Sequence, residues 1–385
     1  MSVRIGANKN IDRSRWKKWQ QGIDWYLLGS FLIWVLFGLL ILASAGTAVG
    51  YELFGDSYYF VKHQLLISVL PGLLGMYVLS KVDYHYWKDW ASVMLFASIL
   101  LLVSVFIPGL RAEYGTAHSW IIIAGYSFQP AELVKLTFLI YLSSWLVNRG
   151  SGKIKNLQEG LMPFLFILGV IMLLMILQPD VGTMSIIVMT AFVVFFVGGG
   201  AWKHLIWMGF LAVFSIMMLI NFSPYRAQRL MTFLHPEIDP QGIGYHINQA
   251  TLAIGSGGFM GRGYGHSRQK FQYLPEVAGD SIFAVMSEEL GFVMSVLFLL
   301  FLLYVAYRGV LVSYQAPDRF GQLLGVGIIS WFIIQAFFNI ASMLSLVPMT
   351  GVPLPFVSSG GSAMLINLLA LGILLNISKQ RMKSA

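Results

Sequence analysis

Four carboxylates, Glu276, Asp280, Glu288 and Glu289, stand in the stretch LPEVAGDSIFAVMSEELGF at 274–292, where a polar segment runs into a long apolar one. A carboxylate at such a junction has two ordinary uses. It caps the following helix by accepting its orphan N–H groups, or it acts as a general base that takes a proton from an attacking hydroxyl. Asp280, directly before the apolar run, is open to both uses. On a regular helix Glu288 would sit about 80° around the axis from Asp280. Those two carboxylates could then line one cavity, with Glu289 pointing elsewhere.

The elements that must position these groups are membrane spans. Of 385 residues 57% are hydrophobic and 11% charged, against roughly 25% charged in an ordinary soluble domain. Repeated apolar runs, each long enough to cross a hydrocarbon layer of about 30 Å, predict an all-α integral membrane protein. Ten spans are expected near 25–45, 62–81, 89–108, 128–148, 161–178, 182–199, 203–221, 281–307, 321–348 and 359–377. Basic residues set the orientation, because short loops rich in Lys and Arg stay in the cytoplasm. Arg4, Lys9, Arg13, Arg15, Lys17 and Lys18 precede the first span, and Lys81, Lys88, Arg149, Lys153, Lys155, Lys203, Arg308, Arg319, Lys379, Arg381 and Lys383 fall on the same side. Both termini are therefore expected inside. The expected organisation is a basic N-terminus (1–24), a ten-span domain (25–378) with one large extracytoplasmic loop (222–280), and a short C-terminus (379–385). The first apolar run reads as a retained anchor, being longer than a signal peptide's core. The net charge of +8 follows from this asymmetry and gives no reason to invoke nucleic acid. The chain has no cysteine, which rules out disulfides and thiolate metal sites.

The outer side holds the unusual segments. Residues 222–280 far exceed an ordinary connection, and their aromatic and aliphatic content argues against disorder. GYHINQATLAIGS at 244–256 fits a short helix at the membrane surface. The glycines at 257, 258, 261, 263 and 265 that follow lack the spacing and the strand context of a nucleotide fingerprint. They fit either a mobile loop or backbone N–H groups that face a phosphate beside Arg262, Arg268 and Lys270. Those cations, with Arg226 and Arg229, run against the charge rule and point to an anionic ligand at the outer leaflet. LQPDVGT at 177–183 must turn the chain at the interface, with Asp180 as a helix cap. TGVPLPFVSSGGSAM at 350–364 reads as a broken, re-entrant approach to the last span, backbone that survives at depth only against protein or a wet cavity. Inside the membrane Glu132 and Lys135 share a helix face and are expected to pair, as a structural unit or as part of a site.

Taken together, YYFVKHQ at 58–64, QPAELVK at 129–135, QPDVGT at 178–183, QYLPEVAGDSIFAVMSEELG at 272–291 and TGVPLPFVSSGGS at 350–362 resemble the SEDS family (shape, elongation, division and sporulation), the FtsW, RodA and SpoVE group. The likeness runs in order along essentially the whole chain and is nearer to the FtsW branch. The resemblance implies a peptidoglycan glycosyltransferase that polymerises lipid II at the outer face of the cytoplasmic membrane. It also implies a class B penicillin-binding transpeptidase as partner, with other proteins of the division or elongation complex. Asp280 occupies the place of the family's essential aspartate. It would be the catalytic base, with undecaprenyl diphosphate as leaving group and inversion at the anomeric carbon. Arg or Lys side chains, alone or with a divalent cation such as Mg or Mn, would stabilise the diphosphate; the motifs themselves specify no cofactor. Residues expected at the substrate are Arg226, Arg229, Arg262, Lys270, Trp120, Glu132, Lys135, Glu288 and Ser358.

The chain departs from the family pattern at several places. Ser119 stands before Trp120 where Arg is usual, Ser281 follows Asp280 where Phe is common, Ser359 replaces a common Tyr, and His63 replaces a frequent Arg. The rival expectation is a lipid II flippase, for which polar groups along the whole crossing would be needed rather than a base at the outer end.

Overall fold

The computed structural model describes residues 22–109, 119–123, 126–221, 224–235 and 242–381. The basic residues before the first span and Lys383 lie outside these, as does the side chain of Arg226.

Ten long helices stand where apolar runs were expected: α1 (Trp25–Ala45), α3 (Tyr59–Lys81), α4 (His85–Ser104), α5 (Pro130–Ile154), α6 (Leu157–Leu177), α7 (Val181–Val197), α8 (Trp202–Asn221), α11 (Ile282–Tyr314), α12 (Arg319–Met343) and α13 (Gly361–Lys379). Eight of these meet the length and hydropathy of a membrane span; α7 is apolar but shorter, and α8 fills the remaining position. Short α2 (Thr47–Phe54) follows α1, and the outer segment contains α9 (Pro224–Leu234) and α10 (Ile243–Ser256). One element was not expected from an all-helical pattern. Ile121–Ile123 (β1) and Tyr126–Phe128 (β2) form a small antiparallel hairpin with Ile121 opposite Phe128, just before α5.

The helices start where the sequence supplies caps. Asp24 accepts from Leu27 N at 2.9 Å, Asp180 from Thr183 N at 3.0 Å and Asp318 from Gly321 N at 3.0 Å, each satisfying an N–H that the first turn leaves unpaired. Pro130 opens α5, where its missing N–H costs nothing. α5, α12 and α13 are the most enclosed helices, whereas α4 and α6 turn apolar side chains outward.

One end of the bundle is tied by paired charges. Asp24 accepts from Arg308 Nη2 at 2.6 Å and also from Arg381, while Tyr84 and His85 both engage Asp318. The cations beside Asp24 and those beside Asp318 fall on the side expected to be cytoplasmic. Ser44 lies about 30 Å up α1 from Asp24, and Asn339 about 31 Å up α12 from Asp318, at 1.5 Å per residue. These two residues mark the opposite end.

At its 33 residues α11 would extend about 50 Å, too long for a straight crossing of about 30 Å. It breaks at Gly291, whose φ of 78° and ψ of −177° only glycine adopts readily. The glycine run after α10 packs into that break. Arg262 N and Gly263 N donate to the Glu288 and Glu289 carbonyls at 3.0 Å each, and Phe292 N donates to Gly258 O at 2.9 Å. A Cβ on Gly291 would stand 2.2 Å from Gly261 N. The glycines are thus neither a loose loop nor a phosphate cradle: close backbone approach is what satisfies the groups freed by the break.

The 350–364 stretch does dip into the bundle, as its prolines predicted. Phe356 sits 5.1 Å, centroid to centroid, from both Trp34 and Phe332, and a Cβ on Gly38 would stand 2.0 Å from its carbonyl oxygen. Pro353 O accepts from Gln335 Nε2 at 2.9 Å and Val352 O from Asn339 Nδ2 at 2.8 Å. Irregular backbone at this depth is therefore paired by side chains of α12.

Candidate active site

At the end of the bundle opposite the Asp24 cluster, the turn before α11, the start of α7, α9 and the 350–360 segment enclose a cavity of about 360 Å³. Its polar lining includes Asp280, Glu276, Arg229, Asp180, Gln129 and Ser359, with Trp120 beside them.

Asp280 is held through its backbone. Its carbonyl accepts from Asn339 Nδ2 at 2.7 Å, Gly279 O accepts from the Ser358 hydroxyl at 2.7 Å, and Ala278 O accepts from Ser359 N at 2.7 Å. Gln64, from the YYFVKHQ motif, completes the frame. Its Nε2 donates to Ser358 O and its Oε1 accepts from Gly360 N, each at 3.2 Å. These bonds leave the carboxylate free to face the cavity. No side chain caps α11 (N-cap Ser281), so Asp280 does not serve as its cap.

Burial pushes the Asp280 carboxyl up, and the neighbouring Glu276 charge adds to this, against the pull of the Ser281 hydroxyl and of Arg229. The balance stands at about 7, where a carboxylate is both available and basic. Glu276 adopts a left-handed backbone with φ of 49°, and its carbonyl accepts from Gly279 N at 2.9 Å and Ser281 N at 3.2 Å. That strained turn brings the two carboxylates of LPEVAGD to one cavity. Across from them Asp180 accepts from Gln129 Nε2 at 2.8 Å, and burial raises its carboxyl too. Asp180 is both the expected cap and part of the cavity wall.

The expected substrate residues separate into three groups. Arg229, Trp120 and Asp280 line the cavity, and Ser358 supports its wall without lining it.

Glu132 and Lys135 lie behind the wall. Their ion pair is 2.8 Å long with both side chains buried, Lys135 Nζ also donates to Gln335 Oε1 at 2.8 Å, and it sits 4.8 Å from the Trp331 ring centroid. Because Gln335 holds Pro353 O, the pair braces the cavity from beneath.

Glu288, Lys270 and Arg262 belong elsewhere, which corrects the expectation that Glu288 shares a cavity with Asp280. Glu288 accepts from the Ser267 hydroxyl at 2.5 Å and from Arg268 N at 3.0 Å, with Arg262 Nε at 3.5 Å. Glu289 takes Lys270 Nζ at 3.0 Å and the Ser44 hydroxyl at 2.6 Å. The segment that folds back along α11 has claimed both carboxylates, and each buried charge is matched there.

Glu276, Gln129, Asn339 and Gln335 are the residues that sequence reasoning passed over. Glu276 was visible as a carboxylate but had no assigned partner. The other three are uncharged amides whose only signal is position within the quoted motifs or on an apolar helix. Among the described residues no three His, Asp or Glu side chains converge as a metal cage would require.

The chain is similar along most of its length to proteins of one family. Stage V sporulation protein E of Bacillus subtilis (strain 168) is 38% identical over 348 residues, 90% of this chain and 94% of that protein. A Geobacter sp. (strain M18) protein named probable peptidoglycan glycosyltransferase FtsW is 36% identical over 365 residues, 95% of this chain and 99% of that protein. A solved structure, titled as the structural coordination of polymerization and crosslinking by a peptidoglycan synthase complex, superposes with a TM-score of 0.77 at 26% identity. It covers 94% of this chain and 100% of that one. The family model described as cell cycle protein, FtsW/RodA/SpoVE, matches residues 24–383, and the chain belongs to that family of multi-pass membrane proteins.

Proposed function

We propose that this chain is a peptidoglycan glycosyltransferase that polymerises lipid II into glycan strands, with Asp280 as general base. The single observation that carries the base assignment is a carboxylate, held in place through its backbone, that lines a cavity also presenting Arg229. A glycosyl diphosphate already has a good leaving group, so the scarce ingredient is a base. The Asp280 carboxylate takes the proton of the acceptor sugar hydroxyl as that oxygen bonds to the donor's anomeric carbon. The bond from that carbon to the phosphate oxygen breaks, and its electron pair leaves with undecaprenyl diphosphate. Attack opposite the leaving group inverts the anomeric carbon. Arg229 is the cavity's cation for the diphosphate. Trp120 offers an apolar face to a sugar ring.

The domain organisation is a single ten-span unit over 25–378, with short termini at 1–24 and 379–385. The chain sits in the cytoplasmic membrane with both termini inside and the cavity at the outer face. It works beside a class B penicillin-binding transpeptidase that cross-links its product. The topology is checked by labelling: in a chain with no cysteine, Gly242→Cys is expected to react with an impermeant maleimide in intact cells. Reaction only after permeabilisation would reverse the orientation.

A flippase is the alternative the experiment must separate. The protein and its partner, purified in detergent, are incubated with lipid II and the products run on a gel. With no bilayer to cross, a polymerase yields long strands. A flippase leaves lipid II unchanged.

A further inference from the structure

Beside the Asp280 carboxylate lies a contact that touches neither the acceptor nor the leaving group. Ser281, fully buried, places its hydroxyl 3.4 Å from Asp280 Oδ1 and 2.6 Å from Nε2 of His246 on α10. Ser281 stands where the family pattern commonly has Phe, which carries no hydroxyl.

A serine hydroxyl has one proton to give and lone pairs to receive another. It cannot donate to Asp280 and His246 at once. The imidazole also faces the Pro275 carbonyl, which can only accept. A neutral ring that donates there through Nδ1 keeps Nε2 as an acceptor toward Ser281.

We propose that Ser281 and His246 form a hydroxyl switch that lets Asp280 be held in both its charged and its protonated form. While Asp280 is a carboxylate, the Ser281 O–H turns toward Oδ1 and stabilises the base. Once Asp280 has taken the acceptor's proton, the Ser281 O–H turns to His246 Nε2 and its oxygen lone pair receives the new Asp280 O–H. No proton leaves the three groups during this turn; one hydroxyl rotates and every donor keeps an acceptor. Burial and the Arg229 charge hold the His246 ring down to about 4, so it stays neutral at physiological pH and keeps an acceptor nitrogen throughout. Ser281 and His246 are positioning residues, acting only through Asp280.

The charged groups that face Asp280 are few. Glu276 comes from its own turn, Arg229 from α9 and Asp180 from the start of α7, with His246 reaching it through Ser281 from α10. All but Ser281 and His246 are retained in the test.

The proposal rests on Asp280 being the base, and the experiment separates the two. Polymerisation by the full chain with its partner transpeptidase is measured against pH at saturating lipid II for wild type, Ser281→Ala, Ser281→Thr, His246→Phe and the Ser281→Ala/His246→Phe pair. Thermal melting verifies that each is folded. Ser281→Ala loses the bond that favours the carboxylate, so its acid limb moves to higher pH and its plateau falls roughly three- to tenfold, the net worth of one ordinary hydrogen bond. Ser281→Thr keeps the hydroxyl and with it the position of the acid limb. His246→Phe lowers the plateau, and the double variant is no worse than Ser281→Ala, because both act on one hydroxyl. A Ser281→Ala profile superimposable on wild type overturns the switch, as does a double variant whose losses multiply. If Asp280→Asn is inactive while Ser281→Ala is unchanged, only the switch falls. If Asp280→Asn polymerises normally, the base and the switch fall together.

Discussion

Asp280→Asn is expected to reduce strand synthesis by about 10²- to 10⁴-fold, the usual worth of general-base catalysis, while assembly with the transpeptidase is retained. The two side chains match in size. The bonds that place residue 280 come from its own carbonyl to Asn339 and from Gly279 and Ala278 to Ser358 and Ser359, none of which involves the carboxylate. The cavity therefore keeps its shape and loses only its base. The measurement is a lipid II gel assay beside co-purification of the partner. Near-normal strands from a correctly assembled Asn variant would remove Asp280 from the chemistry.

The second large effect concerns Lys135. Its ammonium lies between Glu132 Oε1 and Gln335 Oε1, both at 2.8 Å, with its side chain and that of Glu132 almost fully buried. Lys135→Met leaves the Glu132 charge uncompensated, which costs about 3–5 kcal/mol where a buried pair is broken from one side. Glu132→Gln strands the lysine in the same way. Changing both residues removes the unmatched charge, so the double variant is expected to be more stable than Lys135→Met alone. Its activity should remain low, since Gln335 then positions the Pro353 carbonyl and the cavity wall without its cation. Thermal unfolding of the detergent-extracted protein, paired with strand synthesis, measures the cycle. Strictly additive losses in both would mean that the two residues do not act as a pair.

The eight helices long and apolar enough to span were legible because each is a long apolar run, and a run of that length has few alternatives in a bilayer. The Glu132–Lys135 pair was legible for a similar reason. Helical spacing fixes which face both side chains share, and a medium hostile to lone charges makes them meet. Asp280 was legible as a carboxylate at the head of an apolar run.

What failed was the extension of helical geometry from Asp280 to Glu288. The segment from Gly258 to Lys270 folds back along α11 and takes both glutamates, a pairing between residues some twenty positions apart that no periodicity records. Glu276 was unreadable for a different reason. Only a left-handed residue in the turn brings it to face the same space as Asp280, and the sequence supplies no glycine there to announce it. Ser281 and His246 meet across thirty-four intervening residues, so their contact belongs to the fold alone.

The most direct test of a carboxylate base in this cavity is the pH dependence of polymerisation at saturating lipid II. The base must be ionised, so the rate should rise with pH through about 7 and level off above it. Burial is the largest cause of the elevated value and the Glu276 charge the next. Glu276→Gln should therefore move the acid limb to lower pH while Asp280 remains required. A rate flat from pH 5.5 to 8.5 in wild type, or a Glu276→Gln profile displaced to higher pH, would contradict the assignment of Asp280 as the base.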